Sequence, residues 1–579
     1  MNSETKTCQN CKNEFRIEPE DFAFYEKIKV PAPTFCPQCR RQRRLAWRND
    51  FYFYSRNCGL CKKPIVSLYS KDKPMPVYCN KCWWSDKWDA KEYGRGFDFS
   101  RPFFAQFREL QNKVPTLALV NDDGIASVNC EYTQDFAFGK NCYMTFVAWR
   151  VEDCLYSVYL GEVKEIVDSM DVVDNCARVY ESIQIGNSYG CRNVYYSSAL
   201  THCNFCYDCR DSSRCFLSIG LRHKQYCVKN EQYTKEEYDK IVASYRLDTW
   251  SGVRRAETEF LSFIRSYPRR FAYLRNCTNC TGDALINCKN MKDCFNVWRA
   301  EDCRYYENGF APRDSYDVSV GGECSEAYEG LTPDQSYRSL FTIYSWKNTD
   351  VTYGENCHSS KYLFGCSGLR NAEYCILNKQ YSKEEYVKMK DRIIAHMKKA
   401  GEWGEFFPAS LSHFGYNETM AQLAYPLRRT DALKEGFKWQ EELQMSKGRE
   451  TLTAGEIAEG IDEISDAITD EILRCTACGR NYRVIPKELA FYRSMRIPIP
   501  RECFYCRNER RFRFRNPYFL WHRRCACGGS TSENGVYRNT TNHPSHSTDA
   551  HCPNEFETSY ASERKEIVYC EQCYQAEVV

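Results

Sequence analysis

The chain has 579 residues, 43% hydrophobic, 27% charged and 15% aromatic, with 80 basic against 77 acidic side chains and a net charge of +3. That length allows several compact units, and the charge balance excludes both a disordered acidic tail protein and a uniformly basic histone-like one. Cysteine is the outlier at 36 residues, too sparse for a small secreted disulfide scaffold.

The start, MNSETKTCQN, lacks a basic segment followed by an apolar run. No later stretch approaches the ~18 consecutive apolar residues of a membrane span. A cytoplasmic protein with no membrane partner is expected. In that reducing setting closely paired cysteines read as thiolate ligands rather than disulfides.

Residues 1–56 form a first module. Cys8-x2-Cys11 and Cys36-x2-Cys39 supply two knuckles, and the 24 residues between them are enough for a hairpin that closes four thiolates around a tetrahedral ion. After Cys39 runs RRQRRLAWRNDFYFYSR. Read as a helix, it places Arg40, Arg43, Arg44, Trp47 and Arg48 on one face. Guanidinium groups fork onto phosphates and stack on bases, and the aromatics Phe51 to Tyr54 add stacking surface, so this segment is the candidate nucleic-acid site. The bland reading is that the aromatics pack over the module while the arginines line a solvated face or pair with the acidic connector further along the chain. Residues 57–115 form a second module around Cys58, Cys61, Cys79 and Cys82.

Two Cys-rich β repeat units follow, 120–250 and 265–400, each with a closing helix. Cys130, Cys142 and Cys154 stand 12 apart, as do Cys191, Cys203, Cys215 and Cys227. The Tyr-, Val- and Phe-rich segments between them, broken by Asn, Asp and Gly, suggest short strands stacked as rungs. The second unit repeats the first at an offset of 148: Cys176, Cys209 and Cys227 match Cys324, Cys357 and Cys375. YCVKNEQYTKEEY and YCILNKQYSKEEY close the two copies, with capping boxes Thr234/Glu237 and Ser382/Glu385. A column of cysteines at fixed period is expected to be interior packing, with Cys203, Cys206 and Cys209 the candidates for metal.

Residues 401–473 read as a helical acidic connector. Residues 474–522 repeat the first module without a gap at an offset of 467: Cys475, Cys478, Cys503 and Cys506, then Arg507, Arg510, Arg511, Phe514 and Arg515. Residues 523–579 are a fourth module with ligands Cys525, Cys527, Cys570 and Cys573. Its first knuckle is one residue short, and an insert carrying His543, His546, His551 and Cys552 could replace a ligand.

The expected fold is mainly β with small α elements: zinc-ribbon or treble-clef-like modules at both ends flank a duplicated Cys-rich β-solenoid-like repeat region. The expected cofactor is Zn2+, about four per chain, with iron the alternative for four thiolates. No His-Glu-x-x-His or deaminase signature occurs, so a non-enzymatic protein with no small-molecule substrate is expected. The leading function is binding of RNA or a ribonucleoprotein through the arginine segments. The alternative is a zinc-stabilised protein-interaction scaffold whose partner meets the repeat region.

The order of these modules, with CWWSDKWDAKEYGRGFDFSRPFF at 82–104, GEWGEFFP at 401–408 and IVYCEQCYQAEVV at the end, resembles uncharacterised multi-zinc-ribbon proteins of candidate-phyla-radiation bacteria along nearly the whole chain. The resemblance implies zinc binding and a bacterial cytoplasmic setting, and it brings no established activity to carry over. The short Cys525-x-Cys527 knuckle departs from the pattern.

Overall fold

A computed structural model describes residues 2–121 and 127–578, so part of the start of the first repeat unit, expected from 120, lies outside the described residues. Strands predominate over helices, and cysteine clusters occupy both ends. The chain divides into two compact units, Met1–Gly124 with Leu274–Leu443, and Ile125–Tyr273 with Gln444–Val579. Each unit therefore combines two terminal modules with one repeat region. The first two modules belong with the second repeat region, and the last two with the first.

In each repeat region parallel strands stack at a constant register. In the second unit Gln134 pairs with Phe146 and Phe146 with Val158. In the first unit Tyr337 pairs with Thr349, Thr349 with Lys361 and Lys361 with Glu373. The twelve-residue period has a backbone cause. Every third residue turns through positive φ, as at Asn129, Tyr132, Asp135 and Phe138 in one rung and Asn141, Met144, Val147 and Arg150 in the next. Left-handed backbone costs an L-residue ~1–2 kcal/mol, and hydrogen bonds to the rung below offset it. The corner N–H groups of Asn141, Met144 and Arg150 donate to the carbonyls of Val128, Glu131 and Ala137 at 2.9, 3.1 and 3.1 Å.

The residue after each corner points inward, so a rung contributes few interior side chains, such as Cys142, Thr145, Ala148 and Val151. So narrow an interior favours small residues able to satisfy backbone groups. Ser157 Oγ donates to the Leu155 carbonyl at 2.9 Å and accepts from the Ser169 N–H at 3.1 Å. Ser169 repeats this with Val167 and Ser182. Cysteine fills equivalent places: Cys203 Sγ donates to the Thr201 carbonyl at 3.6 Å and accepts from the Cys215 N–H at 3.5 Å.

A large interior residue needs room from its neighbours. Tyr306 is fully buried in the second repeat region and donates to the Gly321 carbonyl at 3.1 Å. A Cβ on Gly309 would lie 2.4 Å from Tyr306 Cε1. Gly309→Ala should therefore destabilise the first unit by about 1–3 kcal/mol through overpacking, read by urea unfolding. Adding Tyr306→Phe, which keeps the ring, should give no rescue, whereas Tyr306→Leu should recover part of the loss.

The closing helices Lys235–Ser244 and Lys383–Ala400 form with the capping boxes of Thr234 and Ser382 in place. The stretch 401–473 departs from a helical connector. It holds only short helices such as Met420–Ala424 and Arg429–Lys434 and divides between the units after Leu443. Without a sustained apolar period it has no helix face to bury. Among the described residues no helix is long and apolar enough to cross a membrane.

Candidate metal centres and the fate of the arginines

Three of the four terminal modules share one construction. A short hairpin carries the first knuckle, and the second knuckle stands at the start of a helix: Cys36 before Pro37–Leu45, Cys79 before Asn80–Trp83 and Cys503 before Phe504–Phe514. The fourth module keeps the helix start, with Cys570 before Glu571–Val578. In every module the third cysteine's backbone N–H donates to the first cysteine's sulfur: Cys36 to Cys8, Cys79 to Cys58, Cys503 to Cys475 and Cys570 to Cys525, at 3.2, 3.3, 3.2 and 3.2 Å. Left-handed residues Lys12, Lys62 and Gly479 follow three of the first knuckles and turn the chain back over the site. Helix N-termini and N–H···S bonds both favour the thiolate form that a metal requires.

The sulfurs converge into four groups able to hold a metal ion: Cys8, Cys11, Cys36 and Cys39; Cys58, Cys61, Cys79 and Cys82; Cys475, Cys478, Cys503 and Cys506; and Cys525, Cys552, Cys570 and Cys573. A tetrahedron of ~2.3 Å metal–sulfur bonds has edges of about 3.8 Å. The sulfur pairs Cys11–Cys36, Cys478–Cys503 and Cys552–Cys570 stand at 3.7, 3.7 and 3.8 Å, and Cys61–Cys79 at 4.0 Å. Cys39's hydrogen bond lowers the Cys36 thiol to about 5.

The fourth group corrects the sequence reading. Cys552 from the insert takes the place assigned to Cys527, because the shortened Cys525-x-Cys527 knuckle points its two sulfurs to different sides. Cys527 instead groups with His543, His546 and Cys573. The sequence did point to the insert, naming His543, His546, His551 and Cys552 as residues that could replace a ligand, and three of the four enter these groups. His551 stays outside, bonded through Nδ1 to the Cys552 carbonyl. Among the described residues no such group lies in the repeat regions, Cys203, Cys206 and Cys209 included.

The arginines are placed against the expectation of a solvent-facing basic surface. Arg40, Arg43, Arg44 and Arg48 are buried, Arg48 at 0% exposure. Arg40 and Arg44 reach Asp317 at 2.8 and 3.2 Å, and Arg43 and Arg44 reach Glu329 at 2.9 and 3.2 Å. Arg48 pairs with Asp50 at 2.8 Å. The second unit repeats this lock: Arg507 and Arg511 reach Asp168 at 2.9 and 3.2 Å, Arg510 and Arg511 reach Glu181 at 2.8 and 3.3 Å, and Arg515 reaches Asp171 at 3.5 Å. Arg510 alone of the eight keeps a half-open side chain, 41% exposed. Burial pushes the Glu329 carboxyl up while Arg43 and Arg44 pull it down. The carboxylates stand at left-handed corners, Asp317, Glu329, Asp168 and Glu181. The sequence reading missed them, although their near-148 spacing matches the repeat offset.

The helix aromatics are used in the same docking. Phe24 stacks on Tyr316 with centroids 3.8 Å apart, and Phe514 lies 4.4 Å from Tyr195. Fold and sites together define a protein with four cysteine-clustered terminal modules, of which the first and third are ion-paired to stacks of parallel rungs. No protein-family profile matches the chain, and neither does any curated protein.

Proposed function

We propose that the protein is a non-enzymatic zinc-stabilised scaffold, in which zinc-ribbon or treble-clef-like modules clamp two β-solenoids whose outer faces meet a protein partner in a bacterial cytoplasm. The observation that carries this is the burial of the arginines. Cations already paired to Asp317, Glu329, Asp168 and Glu181 are withdrawn from phosphate, which removes the main support for RNA binding. Four closed sulfur spheres favour structural over catalytic metal, and their tetrahedral edges suit zinc.

Among the mostly polar outward side chains of the first repeat region, two adjacent ones are large aromatics. Phe138 and Trp149 are 49% and 37% exposed, 6.3 Å apart edge to face, with Arg150 stacked on Trp149 at 4.4 Å. Rigid aromatics next to arginine are typical anchors of protein interfaces.

The test has two arms. Titration with mixed RNA at low and physiological salt should give nothing tighter than the roughly micromolar level of nonspecific contacts, whereas tight binding that falls steeply with salt would restore the RNA reading. Cross-linking in the source cell should then capture a protein partner with the intact chain and lose it with Phe138→Ala/Trp149→Ala. An unchanged capture pattern would rule out this face.

A further inference from the structure

We infer that the fourth module holds two divalent cations of the zinc type, not one, bridged by the Cys573 thiolate. Cys525, Cys552, Cys570 and Cys573 form one group, and Cys527, His543, His546 and Cys573 form a second. Both are complete tetrahedral sets, and Cys573 belongs to each. Its sulfur is fully buried, with Cys525 and Cys527 likewise at 0% exposure.

The histidine tautomers argue for the second ion. His543 Nε2 lies 2.8 Å from the Glu577 carboxylate, and His546 Nδ1 lies 2.9 Å from the Ser547 carbonyl. Those acceptors require the ring protons to sit on the far side of each neutral imidazole. The inward nitrogens, His543 Nδ1 and His546 Nε2, then face each other at 3.2 Å with lone pairs on both. Two lone pairs at that separation repel unless a cation lies between them.

The remaining edges agree. His543 Nδ1 to Cys527 Sγ is 3.2 Å and His546 Nε2 to Cys573 Sγ is 3.3 Å. A tetrahedron with ~2.0–2.1 Å metal–nitrogen and ~2.3 Å metal–sulfur bonds has a nitrogen–nitrogen edge of about 3.3–3.4 Å and nitrogen–sulfur edges of about 3.5–3.6 Å, so the three edges lie within a few tenths of an ångström of closure. Glu577 also accepts from the Thr540 N–H at 2.9 Å and the Tyr537 hydroxyl at 3.0 Å, which fixes the carboxylate that orients His543. Asn539 donates to Cys527 Sγ at 3.2 Å, and its carbonyl accepts from the Tyr569 hydroxyl at 2.8 Å. Sharing a sulfur also reduces the buried charge. Five thiolates around two dications leave one net negative charge, where a separate four-thiolate site leaves two.

The test is a metal count on the intact chain by native mass spectrometry, which does not depend on what partner the protein meets. Five zinc ions are expected, falling to four in His543→Ala/His546→Ala and to three in Cys573→Ala, which removes a ligand from both spheres. Four ions in the wild type, or five that persist in the histidine variant, would overturn the inference. Should Cys573→Ala fail to fold, cadmium-113 exchange of the wild type keeps the sharing testable: two resonances that split each other through the common sulfur are expected, and five unsplit resonances would exclude a bridge.

Discussion

Asp168→Ala is expected to destabilise the docking of the third module by about 3–5 kcal/mol, the loss found when one partner of a buried ion pair is removed. Asp168 has no exposed side-chain surface and takes both Arg507 and Arg511, themselves almost fully buried. Removing its carboxylate leaves two guanidinium groups in the interior, with Glu181 and the weaker Glu488 contact as their remaining partners. Hydrogen exchange of the helix Phe504–Phe514, followed peptide by peptide, reads the effect locally and does not require the whole chain to unfold in two states. A loss of protection below about 1 kcal/mol would show that water already screens the cluster. Asp317→Ala should do the same to the helix Pro37–Leu45. Replacing charge on both sides, as in Asp168→Leu/Arg511→Met, should cost less than the two single changes added together, because a matched apolar pair leaves fewer buried charges unpaired.

Stripping the metal should have the larger effect, confined to the terminal modules. Each has little regular structure to sustain it: the first has the two-stranded hairpin Glu4–Thr7 with Glu14–Ile17 and two short helices. Structural zinc in such small folds supplies an apparent ~10–16 kcal/mol at neutral pH. A strong chelator should therefore abolish protection in residues 8–39 and 475–506 while the repeat regions, closed by their own rung hydrogen bonds, stay protected. Cys8→Ser should affect the first module alone and Cys475→Ser the third alone. Full protection of the modules after metal loss would show that their packing suffices and that the clusters are not structural.

The two expectations differ in how far the sequence foretold them. Cysteine spacing is a local property: a Cys-x2-Cys knuckle turns back on itself where a left-handed residue donates its N–H to the first cysteine's carbonyl, Lys12 to Cys8 at 3.1 Å and Gly479 to Cys475 at 3.0 Å, so Cys8 with Cys11 or Cys475 with Cys478 could be read directly as ligand pairs. The twelve-residue period was equally legible, because four three-residue corners per rung leave the same columns facing inward each time, where cysteines recur beside Val, Ile and Leu. The capping boxes at Thr234 and Ser382 involve residues three apart and follow the same rule.

The destination of a charged or spare ligand residue is not local. Arg44 and Arg511 lie on a helix face that would suit phosphate equally well, and only the docking of that helix on Asp317 or Asp168, far away in sequence, turns the face inward. Cys527 and Cys552 exchange roles for the same reason: the path of the insert, not the spacing of the knuckle, decides which sulfur meets Cys570. The pairing of the first two modules with the second repeat region is likewise absent from the linear order. The sequence by itself determined which short segments offer paired cysteines able to hold a metal and which repeat as rungs, since those depend on neighbours a few residues apart. Only the tertiary structure decided which carboxylates the arginines meet and which ligands close the last module, since those depend on segments hundreds of residues apart coming together.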